Sequence, residues 1–251
     1  MERSLFILNK KRQKLAADIG EVSGSKRAAI LLPGFLDSKD YGGMVGLAAD
    51  LRGAGFTTIR FDATGTWASE GSPDEYSLTQ RLADVDSVIA YVKESYGTTG
   101  ILLAGHSMGC RVSFLAADRH PEVIGIISIM GGATMSTAVT WQKDIKKVDR
   151  RDLPGNPEQF IQYSLPYSFV EDTMRYDAMA ALHRLRIPIL FIAGEQDVLV
   201  PPAKIKEVYD KANEPKKFVI IPGIGHDYRK KSAEIPLVSK EALQFLKEQN
   251  L

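Results

Sequence analysis

The chain has 251 residues, 44% of them hydrophobic and 25% charged, the make-up of an ordinary globular protein with a full core. Its 32 Lys and Arg against 31 Asp and Glu leave a formal charge of +1, which removes any electrostatic case for nucleic acid or a membrane as partner. One cysteine excludes an internal disulfide and a cysteine-built zinc site. No apolar stretch nears the ~20 residues of a membrane span, and Leu5–Leu8 is too short for a signal-peptide core, so a cytoplasmic protein is expected.

Residues 4–9, 14–21 and 27–32 read as short strands, with turns at Asn9-Lys10-Lys11 and Ser23-Gly24-Ser25. The third, Ala28-Ala29-Ile30-Leu31-Leu32, is apolar throughout, as a strand covered on both faces is. From there the pattern alternates. Gly43–Arg52 reads as a helix, Phe56–Asp62 as a strand, and Leu78–Glu94 as a helix with Leu82, Val85, Val88, Ile89 and Val92 on one face. Ile101–Ala104, Ile124–Met130, Pro188–Ala193 and Lys217–Ile221 complete the strands. Met108–Arg119, Pro202–Lys211 and Val238–Gln249 complete the helices. This rhythm predicts an α/β fold: a mostly parallel eight-stranded sheet, an N-terminal antiparallel hairpin and helices on both faces.

The rhythm breaks between Gly132 and Ile187. Residues 134–177 read as polar and irregular, with the turn cluster Pro154-Gly155-Asn156-Pro157, yet they carry Phe160, Ile161, Tyr163, Leu165, Tyr167, Phe169 and Val170. A loop that long without an internal job is unusual. The expected division is a core of residues 1–133 and 178–251 with an inserted lid at 134–177. The plainer alternative is a surface excursion packed on its own aromatics.

Gly105-His106-Ser107-Met108-Gly109 follows the apolar run Ile101–Ala104 and precedes a helix. This is the setting of a nucleophile elbow, in which a strand turns so sharply into a helix that the serine is strained and both flanks must be glycine. The motif alone is weak, since roughly 0.1 matches arise by chance in a chain this size. A serine hydroxyl needs a base, and the base needs a carboxylate to orient it. Of four histidines, His106 leaves the elbow on the wrong side, His120 ends a helix, and His183 lies on a polar helix face. His226, in Gly223-Ile224-Gly225-His226-Asp227 after the last apolar strand, is the expected base. Asp197, in Gly194-Glu195-Gln196-Asp197-Val198, follows strand Pro188–Ala193 and is the expected acid. Glu195 reads as a turn cap and Asp227 as a solvated loop carboxylate.

Acyl transfer also needs N–H donors for a tetrahedral oxyanion. One is the amide of Met108, after the nucleophile; the other comes from the loop Leu32-Pro33-Gly34-Phe35-Leu36-Asp37-Ser38, where Phe35 is the expected donor. The Phe35 ring lines an acyl pocket or packs in the core, and the residues leave both open. Asp37 and Ser38 are expected to stabilise the loop, and Cys110 to be buried packing.

Taken together, Gly105–Gly109, Asp197 in its G-E-Q-D-V-L-V-P setting and His226 in G-I-G-H-D resemble the α/β-hydrolase superfamily over residues 4–133 and 178–249. More narrowly, the chain resembles cinnamoyl/feruloyl esterase-like serine hydrolases in its opening hairpin, in Arg60-Phe61-Asp62-Ala63-Thr64-Gly65 and in its modest insert. Two departures stand out. Pro33-Gly34 replaces the usual His-Gly, and Gly65-Thr66-Trp67-Ala68-Ser69 places Trp67 where the family has a glycine, narrowing the entrance.

The resulting expectation is a serine hydrolase of carboxylic esters, working through Ser107, His226 and Asp197 without metal or organic cofactor. Its partner is a small-molecule ester, with an aromatic or hydroxycinnamoyl portion suggested by the resemblance and by lid aromatics. Trp67, Trp141, Tyr163 and Tyr167 are the candidate substrate contacts. An acyl thioesterase or monoacylglycerol-type lipase would use the same triad, and a non-catalytic ligand-binding protein is the rival outside enzymes. The oligomeric state is open, a homodimer among the options.

Overall fold

The computed structural model describes residues 2–134, 141–143 and 145–251. The chain begins with the antiparallel pair β1 (Glu2–Leu8) and β2 (Lys14–Gly20). It continues through β3 (Arg27–Leu32), α1 (Gly42–Gly53), β4 (Thr57–Phe61), α2 (Leu78–Tyr96), β5 (Gly100–His106), α3 (Met108–Ala117) and β6 (Val123–Ile129). After β7 (Lys147–Leu153), β8 (Asn156–Leu165) and α4 (Ser168–Met174) come α5 (Ala178–Arg184), β9 (Ile189–Gly194), α6 (Pro202–Lys211), β10 (Lys216–Ile221) and α7 (Ile235–Glu248). The main sheet has eight strands in the order β1-β2-β4-β3-β5-β6-β9-β10. All neighbours from β4 to β10 pair parallel, and β2 alone runs against both of its neighbours.

The period of two along the strands divides the core into two layers. Ala28, Ile30, Leu32, Ile101 and Leu103 face one way and meet Leu82, Val85, Val112 and Phe114 from α2 and α3. Ala29, Leu31, Leu102 and Ala104 face the other way and meet Met44, Leu47, Leu51 and Phe245 from α1 and α7. Helix α2 starts where the Ser77 hydroxyl accepts the Gln80 amide at 3.0 Å, and ends at Gly97, whose φ of +59° stops it.

Strand order places the site. The crossover from β3 leads to β4 on one side, and the next crossover returns past it to β5 on the other. Such a switch point opens a crevice at the carboxyl ends of adjacent strands. Leu32 pairs with Gly105, so the loop after β3 and the turn after β5 leave the sheet side by side.

The segment expected to be irregular contains a hairpin. Strands β7 and β8 pair antiparallel in a sheet of their own, joined at Pro154-Gly155, where Gly155 takes a φ of +76°. Its strands escape a search for apolar runs because one face is solvated, while Ile161, Tyr163 and Leu165 turn inward on the other. Positions 135–140 and 144 of the expected lid lie outside the described residues. Among the described residues, no helix is long and apolar enough to cross a membrane.

Phe191 on β9 sits between Phe114 at 6.0 Å and Tyr209 at 5.8 Å and is fully buried. Phe191→Ala is expected to cost about 3–5 kcal/mol of stability. The check is a urea titration: the midpoint falls with the slope unchanged, and a loss below about 1 kcal/mol would contradict this packing.

Candidate active site

Strand β5 delivers Ser107 into a turn with φ 53° and ψ −118°, a left-handed conformation that a non-glycine residue holds only under strain of about 1–3 kcal/mol. Close backbone approach makes the turn possible. A Cβ on Gly105 would lie 2.4 Å from the Gly109 carbonyl carbon, and one on Gly109 would lie 2.0 Å from the Leu32 oxygen. Gly131, which the sequence reading passed over, is equally required: a Cβ there would lie 2.2 Å from the Ser107 oxygen. The Ser107 amide donates to the Ile129 carbonyl at 2.9 Å, tying the turn to the end of β6.

His226 and Asp197 meet this serine from the loops after β10 and β9. His226 Nε2 lies 3.0 Å from Ser107 Oγ, and His226 Nδ1 lies 2.8 Å from Asp197 Oδ2. A carboxylate only accepts, so the geometry assigns the imidazole proton to Nδ1 and leaves Nε2 free to accept from the serine. The second Asp197 oxygen accepts the amides of Leu199 at 2.9 Å and Val200 at 2.8 Å, which sets the carboxylate's orientation. Glu195 accepts the Gly223 amide at 2.9 Å and so joins the acid loop to the base loop.

A buried ionic layer lies behind His226. Arg229 forks onto Asp37, with Nε 2.9 Å from Oδ2 and Nη2 3.1 Å from Oδ1, and its Nη1 also reaches the His226 carbonyl at 3.3 Å. Burial pushes the Asp37 carboxyl up, but Arg229, His106 and Arg151 outweigh it and hold the group well below the usual carboxylate range. Burial also drives His106 down to about 4, so its ring is neutral at neutral pH. That ring has one N–H to share between the His226 carbonyl at 3.2 Å and Asp37 at 3.6 Å. His106 therefore packs and bonds locally, against His226, as its place in the elbow suggested. His120 pairs with Asp86 at 2.9 Å, away from the site. Cys110 is fully buried, with Sγ 3.1 Å from the Gly105 oxygen, and burial raises its thiol to about 12.

The Phe35 loop lies beside Ser107, and its backbone is held from several directions. Arg81 donates to the Pro33 oxygen at 2.6 Å and the Gly34 oxygen at 3.0 Å. Arg151 from β7 donates twice to the Phe35 oxygen, at 3.2 and 3.1 Å. The Tyr76 hydroxyl accepts the Leu36 amide at 3.0 Å, and the Trp67 indole donates to the Leu36 oxygen at 3.0 Å. Met108 opens α3, so its amide has no intrahelical acceptor. None of Arg81, Tyr76, Arg151 or Arg229 was singled out from sequence. Arg81 did leave a signal, since it shares the apolar face of α2 with Leu78, Leu82 and Val85.

The four aromatic residues expected at the substrate belong to one cluster over this loop, with Phe35, Phe169 and Met108. Tyr163 is 3% exposed, and its hydroxyl accepts the Trp67 amide at 2.7 Å. It therefore anchors β8 to the core and offers no open face, which corrects its expected role. Trp67 adopts a φ of +49°, a conformation that suits the glycine it replaces, and its ring meets Tyr163 at 6.1 Å. Trp141 stacks on Phe169 at 5.4 Å, and half-buried Tyr167 leads into α4. The Phe35 ring packs against Phe169 at 5.2 Å and Tyr76 at 5.8 Å.

A serine, histidine and aspartate on the carboxyl ends of a doubly wound sheet, behind a glycine-flanked elbow, define a class of protein. The profile of the alpha/beta hydrolase fold matches residues 29–166, more than half of the chain, and the chain belongs to this family. Among particular relatives, the rat (Rattus norvegicus) palmitoyl-protein thioesterase ABHD10, mitochondrial, is 27% identical over 224 residues, covering 86% of this chain and 74% of that protein. The structure of Est1E from Butyrivibrio proteoclasticus with ferulic acid bound superposes with a TM-score of 0.81 at 21% identity, covering 98% of this chain and 99% of the other. Mouse alpha/beta hydrolase domain-containing protein 10 superposes with a TM-score of 0.75 at 21% identity, covering 98% and 99%.

Asp37→Asn is expected to destabilise the protein at pH 7 by less than the about 3–5 kcal/mol of a buried pair broken outright, because the Arg229 cation loses its buried partner and keeps only the more exposed Asp227 carboxylate. The sign with pH follows from the depressed carboxyl. The unfolded state takes up the proton first as pH falls through about 4, so the pair's contribution is fully present above that pH and declines progressively below it, toward the much lower range where the folded carboxyl takes up its proton. Urea midpoints of wild type and variant should therefore converge between pH 6 and pH 3. A gap that stays constant over that range would contradict the ionic role of Asp37.

Proposed function

We propose that the chain is a serine hydrolase that cleaves a small-molecule acyl ester through an acyl-enzyme. The observation that carries this reading is the continuous contact from Ser107 Oγ to His226 Nε2 at 3.0 Å and from His226 Nδ1 to Asp197 at 2.8 Å, with the serine on a strained turn. In this reading His226 takes the hydroxyl proton as Ser107 Oγ bonds to the acyl carbon. The carbonyl electron pair moves onto oxygen, where the amides of Phe35 and Met108 receive it. Asp197 keeps the imidazole in the correct tautomer and stabilises its cationic form. Collapse of the tetrahedral species breaks the acyl–oxygen bond, and the alkoxide leaves with the proton held on His226. Water, deprotonated by His226, repeats the attack and frees the acid and Ser107.

A thioester is the second reading, supported by the name of the rat relative, whose identity extends over most of this chain. The same steps serve it, with a thiolate as the leaving group. The insert of residues 134–177 is read as the cover of the acyl site, because β7 and β8 bring Arg151 and Tyr163 onto the loops around Ser107. The aromatic cluster beneath it favours a substrate with an apolar or aromatic acyl portion.

Ser107→Ala is expected to lower kcat by about 10⁶-fold, to background, with an unchanged melting temperature. Nitrophenyl, feruloyl, monoacylglycerol and acyl-CoA substrates compared on the wild-type protein separate ester from thioester. Turnover by the variant within tenfold of wild type would refute the nucleophile.

A further inference from the structure

We propose that Arg81 is the positioning residue of the oxyanion hole: its guanidinium fixes the Gly34–Phe35 peptide group, whose N–H receives the developing negative charge. This rests on the serine-hydrolase reading and deepens it.

The peptide bond makes the Gly34 C=O and the Phe35 N–H one rigid unit. That bond is trans, since the cis bond found among the described residues is Glu214-Pro215, and its carbonyl and N–H therefore point in opposite directions. Arg81 Nη1 donates to the Gly34 oxygen at 3.0 Å, from the side of α2. The same oxygen accepts the Asp37 amide at the longer distance of 3.3 Å, so Arg81 supplies the shorter, charge-assisted hold. With the oxygen tied to α2, the N–H is aimed away from α2, and turning the plane would break that bond. The neighbouring groups are claimed by the same unit. Arg81 Nη2 holds the Pro33 oxygen at 2.6 Å, and Nη1 holds Tyr76 Oη at 2.8 Å, which in turn accepts the Leu36 amide at 3.0 Å. Between the Pro33 carbonyl and the Leu36 amide, the Gly34 and Phe35 N–H groups take none of these bonds, and of the two it is the Phe35 N–H that shares a peptide plane with the Arg81-bound Gly34 carbonyl.

A second effect adds to aim. A cation on a carbonyl oxygen withdraws electron density through the amide and makes its N–H a stronger donor, as hydrogen bonds in series polarise one another. Arg151 does not share this role, because the Phe35 oxygen it holds belongs to the next peptide group.

The burial of Arg81 argues against a packing role. The residue is 5% exposed, and its partners are three neutral oxygens; among the described residues no carboxylate pairs with it. A cation buried without a counter-ion is costly, and an apolar side chain of similar length would pack this helix face at lower cost. What a methionine would not supply is the pair of donors on Pro33 and Gly34.

The test compares Arg81→Met and Arg81→Lys with wild type on a nitrophenyl ester, together with inhibition by a trifluoromethyl ketone. That ketone adds Ser107 and presents the same oxyanion as the reaction. Loss of a whole oxyanion donor lowers kcat by about 10²–10³-fold, so a misaimed donor is expected to cost on the order of ten- to hundredfold. R81M should show that loss in kcat with KM within twofold, and a ketone Ki raised by the same factor. R81K, which keeps the charge and reaches one carbonyl, should recover part of both. An R81M kcat within threefold of wild type overturns the inference. So does a kcat loss with an unchanged ketone Ki, which would mark a structural role alone. If R81M fails to fold, R81K decides: a kcat loss with a matching rise in Ki supports the inference, and wild-type values overturn it. Failure of the underlying reading looks different. In that case wild-type protein takes no fluorophosphonate label and hydrolyses none of the substrates, and the inference falls with it.

Discussion

The backbone of Ser107 can hold its left-handed turn only because three glycines let neighbouring chain segments come closer than any side chain would allow. Gly105, Gly109 and Gly131 each remove a Cβ that would sit 2.0–2.4 Å from backbone atoms. That approach brings the start of α3 against the end of β3, and the end of β6 against the serine itself. The rest follows from the sheet. Because β3 and β5 are neighbours whose crossovers run opposite ways, the elbow and the Phe35 loop share one crevice. Asp197 and His226 then arrive from the ends of β9 and β10, farther along the same edge.

Crowding explains where the loops go, and arginines explain why they stay. A loop at a strand end carries backbone carbonyls that the sheet does not satisfy, and buried carbonyls need donors. Proline at position 33 has no N–H of its own to contribute to the loop. Arg81 reaches in from α2, Arg151 from β7 and Arg229 from the turn after β10, and each ends on backbone oxygens of the site. Arg229 pairs with Asp227 on its own loop and with Asp37 on the Phe35 loop, so an ion pair joins the Phe35 loop to the His226 loop.

These facts mark the limit of what the sequence disclosed. Elements with a buried period were legible: β3 and β5 as apolar runs, α2 as a stripe of Leu82, Val85, Val88, Ile89 and Val92. Ser107, Asp197 and His226 were legible because each follows an apolar strand, in the chain order of the α/β-hydrolase pattern that the sequence resembles. The β7–β8 hairpin was not, because its strands bury one face only and mix Lys, Arg and Asp with the few apolar positions. The arginines were not legible as site residues either. Their partners are backbone oxygens 47 and 116 residues away for Arg81 and Arg151, and a backbone carbonyl leaves no mark in the sequence. An arginine amid the apolar face of α2 was the single trace.

The insert is bound to the site by the same class of contact, which decides how it relates to the core. Arg151 on β7 holds the Phe35 oxygen; Lys230, four residues after the base, pairs with Asp152; and Tyr41 donates to the Asp152 oxygen at 2.8 Å. Tyr163 on β8 fixes Trp67, which fixes Leu36. Charge-assisted bonds of this kind contribute roughly 1.5–3 kcal/mol each and the neutral ones about 1 kcal/mol. Lifting the hairpin away would therefore break several bonds at once and free the Phe35 loop on one side. Arg81 and Arg229 belong to the core and would keep their hold on that loop. The Gly34–Phe35 peptide is thus anchored to α2 without the hairpin, and Asp37 keeps Arg229 without it, although Arg151 lies 3.9 Å from Asp37 and adds to that layer from β7. Phe35 and Leu36 take their second set of bonds from the insert and its partner Trp67.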